Sequence, residues 1–165
     1  MSEKLMNLRD LLEHEIKDLY SAETQLIAAL PKMAKKAGND KLKKAIEDHL
    51  EETKQQKERL DKVAKKLKMD PSGETCKAMK GLIKEGEDMM KMEADDDVRD
   101  AGLIASAQRV EHYEISGYGT AAHFARRLGM DDVADILEET LNEEKKADQK
   151  LNRIAKSTVN EKAEA

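Results

Sequence analysis

The apolar positions of this chain fall in four long stripes whose steps alternate between three and four residues, the spacing that gathers side chains on one face of an α-helix. The first runs from Leu5 through Leu8, Leu12, Ile16, Leu19, Glu23, Leu26, Leu30, Met33 and Ala37. Pro31 lies inside it and predicts a kink, because it removes a hydrogen bond and crowds the preceding turn. Gly38-Asn39 should stop this helix, with Asp40 as the expected N-cap of the next. The second stripe reaches about Lys68 on Leu42, Ile46, His49, Thr53, Gln56, Leu60, Val63 and Leu67. The third runs from about Val98 to Leu128 on Ile104, Ala107, Glu111, Glu114, Tyr118, Ala121, Ala125 and Leu128, and Gly129 ends it. The fourth opens at Asp131 or Asp132 and continues on Ala134, Leu137, Leu141, Glu144, Asp148, Leu151 and Ala155.

Between the second and third stripes, Pro71 and Gly73 mark a break, followed by a shorter amphipathic stretch from Cys76 to Met92 and an acidic run from Glu93 to Asp97. Such a connection is too long for a hairpin turn, so it must cross the bundle. Four helices, two short turns and one long crossover predict an all-α, ferritin-like four-helix bundle with an extra short helix in the crossover. Residues 1–157 form the expected single domain. Residues 158–165 lack an apolar pattern and read as a frayed tail.

Every stripe turns polar near its middle. Glu23, Glu52, Glu114 and Glu144 lie at similar distances from their helix ends, and at ~1.5 Å per residue they reach one level about 20 Å from the ends of the bundle. Glu111 and Asp148 fall on the same inward faces, so six carboxylates converge from four helices. His49, one turn before Glu52, is the nearest imidazole. Uncompensated charges inside a protein cost several kcal/mol each, which is a large fraction of a domain's stability. Cations resolve the conflict. Oxygen donors with one or two nitrogens suit a pair of Fe ions, or Mn or Zn ions. The metal ligands expected from the sequence are therefore Glu23, His49, Glu52, Glu111, Glu114, Glu144 and Asp148.

Composition narrows the picture further. The 165 residues include two Pro, one Phe, three Tyr and no Trp, poor material for a sheet. Without the six converging acids, the formal charge of −5 would become close to neutral. No long apolar run and no signal-peptide core are present near Met1 to Leu12, so a cytoplasmic protein is expected. Cys76 is alone, which excludes an internal disulfide. Lys32, Lys35, Lys36, Lys41, Lys43 and Lys44 form a basic corner at the first turn that could touch nucleic-acid phosphates, though lysines at a helix C-terminus also favour its dipole.

The stretches D-L-Y-S-A-E-T-Q-L at 18–26, H-L-E-E-T at 49–53, V-E-H-Y-E-I at 110–115 and L-E-E-T-L-N-E-E-K-K-A-D at 137–148 resemble the YciF/YciE bacterial stress-protein family. That resemblance implies a ferritin-like fold similar to rubrerythrins, a homodimer and a role in general or oxidative stress. It also implies a di-iron pattern in which Glu23 and the pair Glu111/Glu114 match directly. Glu52 and Glu144 match the remaining acids and are the bridges that the resemblance implies, but Gln55 and Ala147 stand where rubrerythrin-like proteins carry histidine, and Asp148 follows. No cysteine cluster of the rubredoxin kind is present. The leading expectation is a di-iron carboxylate protein acting on iron with peroxide or dioxygen. Its rivals are a structural dimer with an inert site and a DNA-protecting protein.

Overall fold

The structure, a computed structural model, describes residues 4–165. It contains α1 (Leu8–Lys36), α2 (Asp40–Leu67), α3 (Lys77–Lys91), α4 (Asp96–Arg127) and α5 (Asp131–Ile154), then a π-helical turn (Ala155–Val159) and α6 (Asn160–Glu164). No strand occurs among the described residues. The four long helices make the bundle, and α3 packs on α1 and α4 from the crossover. The all-α, ferritin-like expectation holds.

Local chemistry accounts for most of the boundaries. Asn7 caps α1 by accepting from Asp10 N at 2.9 Å. The cap of α2 is Asn39, whose side chain accepts from Lys41 N and Leu42 N, and not Asp40, which forms the first turn and favours the dipole there. Helix α1 runs on through Pro31 to Lys36. Gly129 takes φ +72, a left-handed conformation that glycine adopts without penalty, and turns α4 into α5. Asp100 on α4 is buried and accepts from Gly38 N at 2.9 Å and Asn39 N at 2.7 Å. It ties the α1–α2 turn to the crossover side of the bundle. Asp100→Ala would take the acceptor from two backbone amides at this part-buried turn, and we expect a loss of about 1 kcal/mol, a fall of roughly 3 °C in a thermal melt.

The expected frayed tail is helical instead. Val159 is buried among Leu103, Leu151 and Ile154, so the chain stays against α4 through the π turn. One apolar residue in a polar segment made this docking hard to read from pattern alone.

The apolar core has two parts. One joins the C-terminal half of α1 to the N-terminal half of α2, with Leu26, Leu30, Leu42, Ile46, Leu103 and Leu151. The other joins the opposite ends, with Leu12, Ile16, Leu60, Val63, Ala125 and Leu137. This division means that α1 runs antiparallel to both α2 and α4, and α5 antiparallel to α4. It also leaves a polar belt between the two parts.

Candidate metal centre

That belt holds Glu23 of α1, His49 of α2, Glu111 and Glu114 of α4, and Glu144 of α5. All are buried, with Glu23, Glu114 and Glu144 at 0% exposure and His49 at 7%. Glu111 and Glu114 are one turn apart on one helix face, which aims both carboxylates inward. His49, Glu111 and Glu144 present ligand atoms within 4.8 Å of one another, and so do Glu23, Glu114 and Glu144. Glu144 belongs to both groups.

The surrounding contacts orient this set. His49 Nε2 lies 2.9 Å from Glu111 Oε1 but out of line for a proper hydrogen bond, so the contact is chiefly one of charge. Tyr118, one turn beyond Glu114 and fully buried, donates its hydroxyl to Glu23 Oε1 at 2.5 Å. Behind Glu144, Arg59 grips Glu143 with two bonds of 2.7 Å, and Gln56 Nε2 donates to the same carboxylate at 3.0 Å. That bidentate clamp fixes the spacing of α2 and α5 beside the acids.

Electrostatics set these groups against one another. Burial raises Glu23 to about 7, partly countered by the adjacent Glu114 carboxyl and by the Tyr118 hydroxyl. Burial pushes Glu114 well above the carboxylate range, and the charges of Glu23, Glu144 and Glu111 add to it. Glu144 rises for the same first reason, with Glu111 adding to it. Burial works upward on Glu111 as well, but the facing His49 outweighs it and holds this acid below its usual value. His49 gains correspondingly: burial disfavours its charge, yet Glu111 and its neighbours hold the imidazolium well above the usual range. Tyr118 is held protonated by burial and by the adjacent Glu23.

Two of the sequence-derived ligands lie outside both groups. The Glu52 side chain is 45% exposed, at the edge, with its Oε2 3.7 Å from His49 Nδ1. Asp148 turns outward, accepts from Gln108 at 3.3 Å and lies 3.3 Å from His112 Nε2. On α2 the buried face runs His49, Thr53, Gln56, Leu60, so Glu52 sits to one side of it. On α5 the buried face passes from Glu144 to Leu151 with neither Ala147 nor Asp148 fully inside. Gln56 was on the stripe with no role assigned. Its Oε1 is a buried acceptor with no donor, which marks it as part of the belt.

A donor set for cations should show buried oxygens that no protein donor satisfies. Glu23 Oε2, Glu111 Oε2 and both oxygens of Glu114 and of Glu144 meet this description, as do both His49 ring nitrogens. The residues therefore fit a pair of metal ions.

Fold and belt together define a ferritin-like helical bundle with an acidic, imidazole-bearing interior. A family model described as "Domain of unknown function (DUF892)" matches residues 7–164, and the chain belongs to that family. It is 45% identical over 161 residues to the YciF protein of Escherichia coli (strain K12), covering 97% of each. Its structure resembles the crystal structure of the E. coli stress protein YciF with a TM-score of 0.91 and 44% identity, covering 94% of this chain and 99% of that one. YcfI from Rhodopseudomonas palustris is similar at a TM-score of 0.89 and 49% identity, over 92% and 97% of the two chains. A protein from Xanthomonas campestris, 24% identical with a TM-score of 0.76 over 93% and 94%, shares the fold. The chain is thus a homologue of the stress protein YciF. No described helix is long and apolar enough to cross a membrane.

Proposed function

We propose that the protein binds two metal ions in the polar belt and uses them in iron oxidation or in handling dioxygen or peroxide during stress. The observation that supports this most is Glu144, shared by two groups of buried ligands whose oxygens lack protein partners. His49, Glu111 and Glu144 would hold one ion. Glu23, Glu114 and Glu144 would hold the other, with Glu144 as the bridge. Glu52, at the edge 3.7 Å from His49 Nδ1, is the next carboxylate that could reach the His49 ion. Asp148, engaged by Gln108 and His112, takes no part.

Two iron ions bound here would supply the two electrons that reduction of peroxide or dioxygen requires. The chain's own contributions are positional. Tyr118 keeps a proton beside Glu23 and fixes that carboxylate. The two positions differ, since His49 brings nitrogen to one and the other is all oxygen, which favours harder ions there. Arg59, Glu143 and Gln56 brace α2 against α5 and limit how far Glu144 can move.

Metal analysis of protein purified without added metal, followed by anomalous scattering at the Fe, Mn and Zn edges, tests this reading. Two ions per chain flanking Glu144 are expected. A chain that takes up none of these metals even after loading overturns the reading and leaves a structural bundle with protonated acids. The lysine corner is a weaker basis for function, because Lys44 already pairs with Asp48 at 2.9 Å and Lys32 lies 3.9 Å from Glu87.

A further inference from the structure

Next to the His49 side of the belt is a cavity of about 90 Å³ that no role assigned so far uses. It exists because small residues meet there from five helices: Ala29 of α1, Ala45 of α2, Gly86 of α3, Ala107 of α4 and Ala147 of α5. Between its two ends the wall is leucine, isoleucine, methionine and Val110, with Ser106 as its one hydroxyl. At the inner end the wall is His49 and Glu111, and His49 is buried with both ring nitrogens lacking a hydrogen-bond partner. The outer rim carries Asp48, Glu52, Glu87, Lys146 and Lys150, of which Lys150 already contacts Asp48 at 3.2 Å.

The chemistry of this chamber limits its occupant. Between its apolar walls water would lack polar partners, as in apolar cavities of ~150 Å³ that stay dry and accept xenon or benzene, whereas His49 and Glu111 offer such partners only at the inner end. This chamber is smaller, so it suits a molecule of very few atoms. An anionic guest would meet Glu111 inside and, at the rim, three carboxylates against two lysines, one of which already contacts Asp48. Hydrogen peroxide would have to surrender its hydrogen bonds to water along apolar walls, at a cost of several kcal/mol. A neutral apolar diatomic meets neither obstacle.

We propose that the chamber is a dioxygen site that delivers the oxidant to the His49 side of the metal centre. This rests on the two-ion reading above and makes dioxygen, not peroxide, its oxidant. Dioxygen accepts one electron from each of two ferrous ions together with two protons and leaves as hydrogen peroxide, and both ions end ferric. The small residues keep the space open, and α3 closes one side of it with Leu82, Ile83, Gly86, Glu87 and Met90.

Xenon-pressurised crystals test the chamber without reference to turnover. Xenon is expected between Ala107 and Gly86 in both metal-free and metal-loaded protein. Ala107→Leu and Ala29→Leu should displace it, and each should slow oxidation of bound ferrous ion by dioxygen about tenfold while leaving oxidation by added peroxide unchanged. Ala29 is partly exposed, so its variant should fold even if Ala107→Leu is overpacked. Absence of xenon from the chamber, ordered water filling it, or equal slowing with both oxidants in the filled variants overturns the dioxygen site. Metal-loading failure would overturn the two-ion reading instead, which metal analysis of the same crystals reveals separately.

Discussion

Freed of metal, the protein should lose stability as the pH rises from about 5 to above 7, and added metal should reverse that trend. The sign follows from the acids of the belt. Glu23 in the folded protein is raised to about 7 against 4.5 in the unfolded chain, and burial also holds Glu114 and Glu144 well above the usual carboxylate range. A raised acid contributes stability below its unfolded value, and that contribution is lost as pH climbs through the folded value. For Glu23 alone the difference amounts to roughly 3 kcal/mol, at about 1.4 kcal/mol for each tenfold change. His49, also raised, acts in the same direction, whereas Glu111, lowered, opposes it below 4.5. Metal ions take the ionised acids and neutral imidazole, so their affinity grows with pH. At a thousandfold excess over Kd a bound ion adds about 4 kcal/mol, a rise of roughly 10 °C for a chain of this size. Melts of chelated and metal-loaded protein across this pH range decide the matter; parallel curves would count against a metal centre here.

Glu144→Gln should separate the bridge from the other ligands. Gln keeps the volume but cannot bridge as an anion, so neither position retains its ion, whereas Glu23→Gln should lose only the all-oxygen one. The metal-free variant should be more stable than the parent above pH ~7, by about 1 to 4 kcal/mol, because a repelled buried charge is gone. It should also gain little from added metal. Asp148→Ala, altering an outward contact, should keep both ions. Edge-specific anomalous occupancy and chelator-dependent melts together read these outcomes. Two fully occupied positions in Glu144→Gln would sink the shared-ligand assignment.

Much of this was legible in the sequence because helix periodicity carries directional information. Glu23, Glu111, Glu114 and Glu144 continue stripes whose flanking members are apolar, so their inward direction followed from their neighbours. The four helices and their crossover followed in the same way. Glu52 and Asp148 misled for one reason. A stripe that may step by three or four assigns two neighbouring positions to one face, and only packing decides between Glu52 and Thr53, or between Ala147 and Asp148. Here Thr53 lies inside and bonds His49 O at 2.7 Å, which leaves Glu52 at the edge. The chamber had no sequence signature, because alanines on four separate helices become a void only when brought to one height. Asp100 was missed because its partners, Gly38 and Asn39, are more than sixty residues away.

Gly117 lies one turn after Glu114, and Leu19 lies one turn before Glu23. A Cβ at position 117 would come within 2.8 Å of Leu19 Cδ2, nearer than side-chain carbons tolerate. Glycine inside a helix costs about 1 kcal/mol relative to alanine. In return it sets the clearance between α1 and α4 at the place where Glu23 and Glu114 must meet. Metal–oxygen bonds of about 2 Å accept errors of only some 0.2 Å, so this clearance works as a machining tolerance. A single methyl group added there would force either Leu19 to turn away or α1 and α4 apart, beside the two carboxylates and without changing any ligand in the sequence.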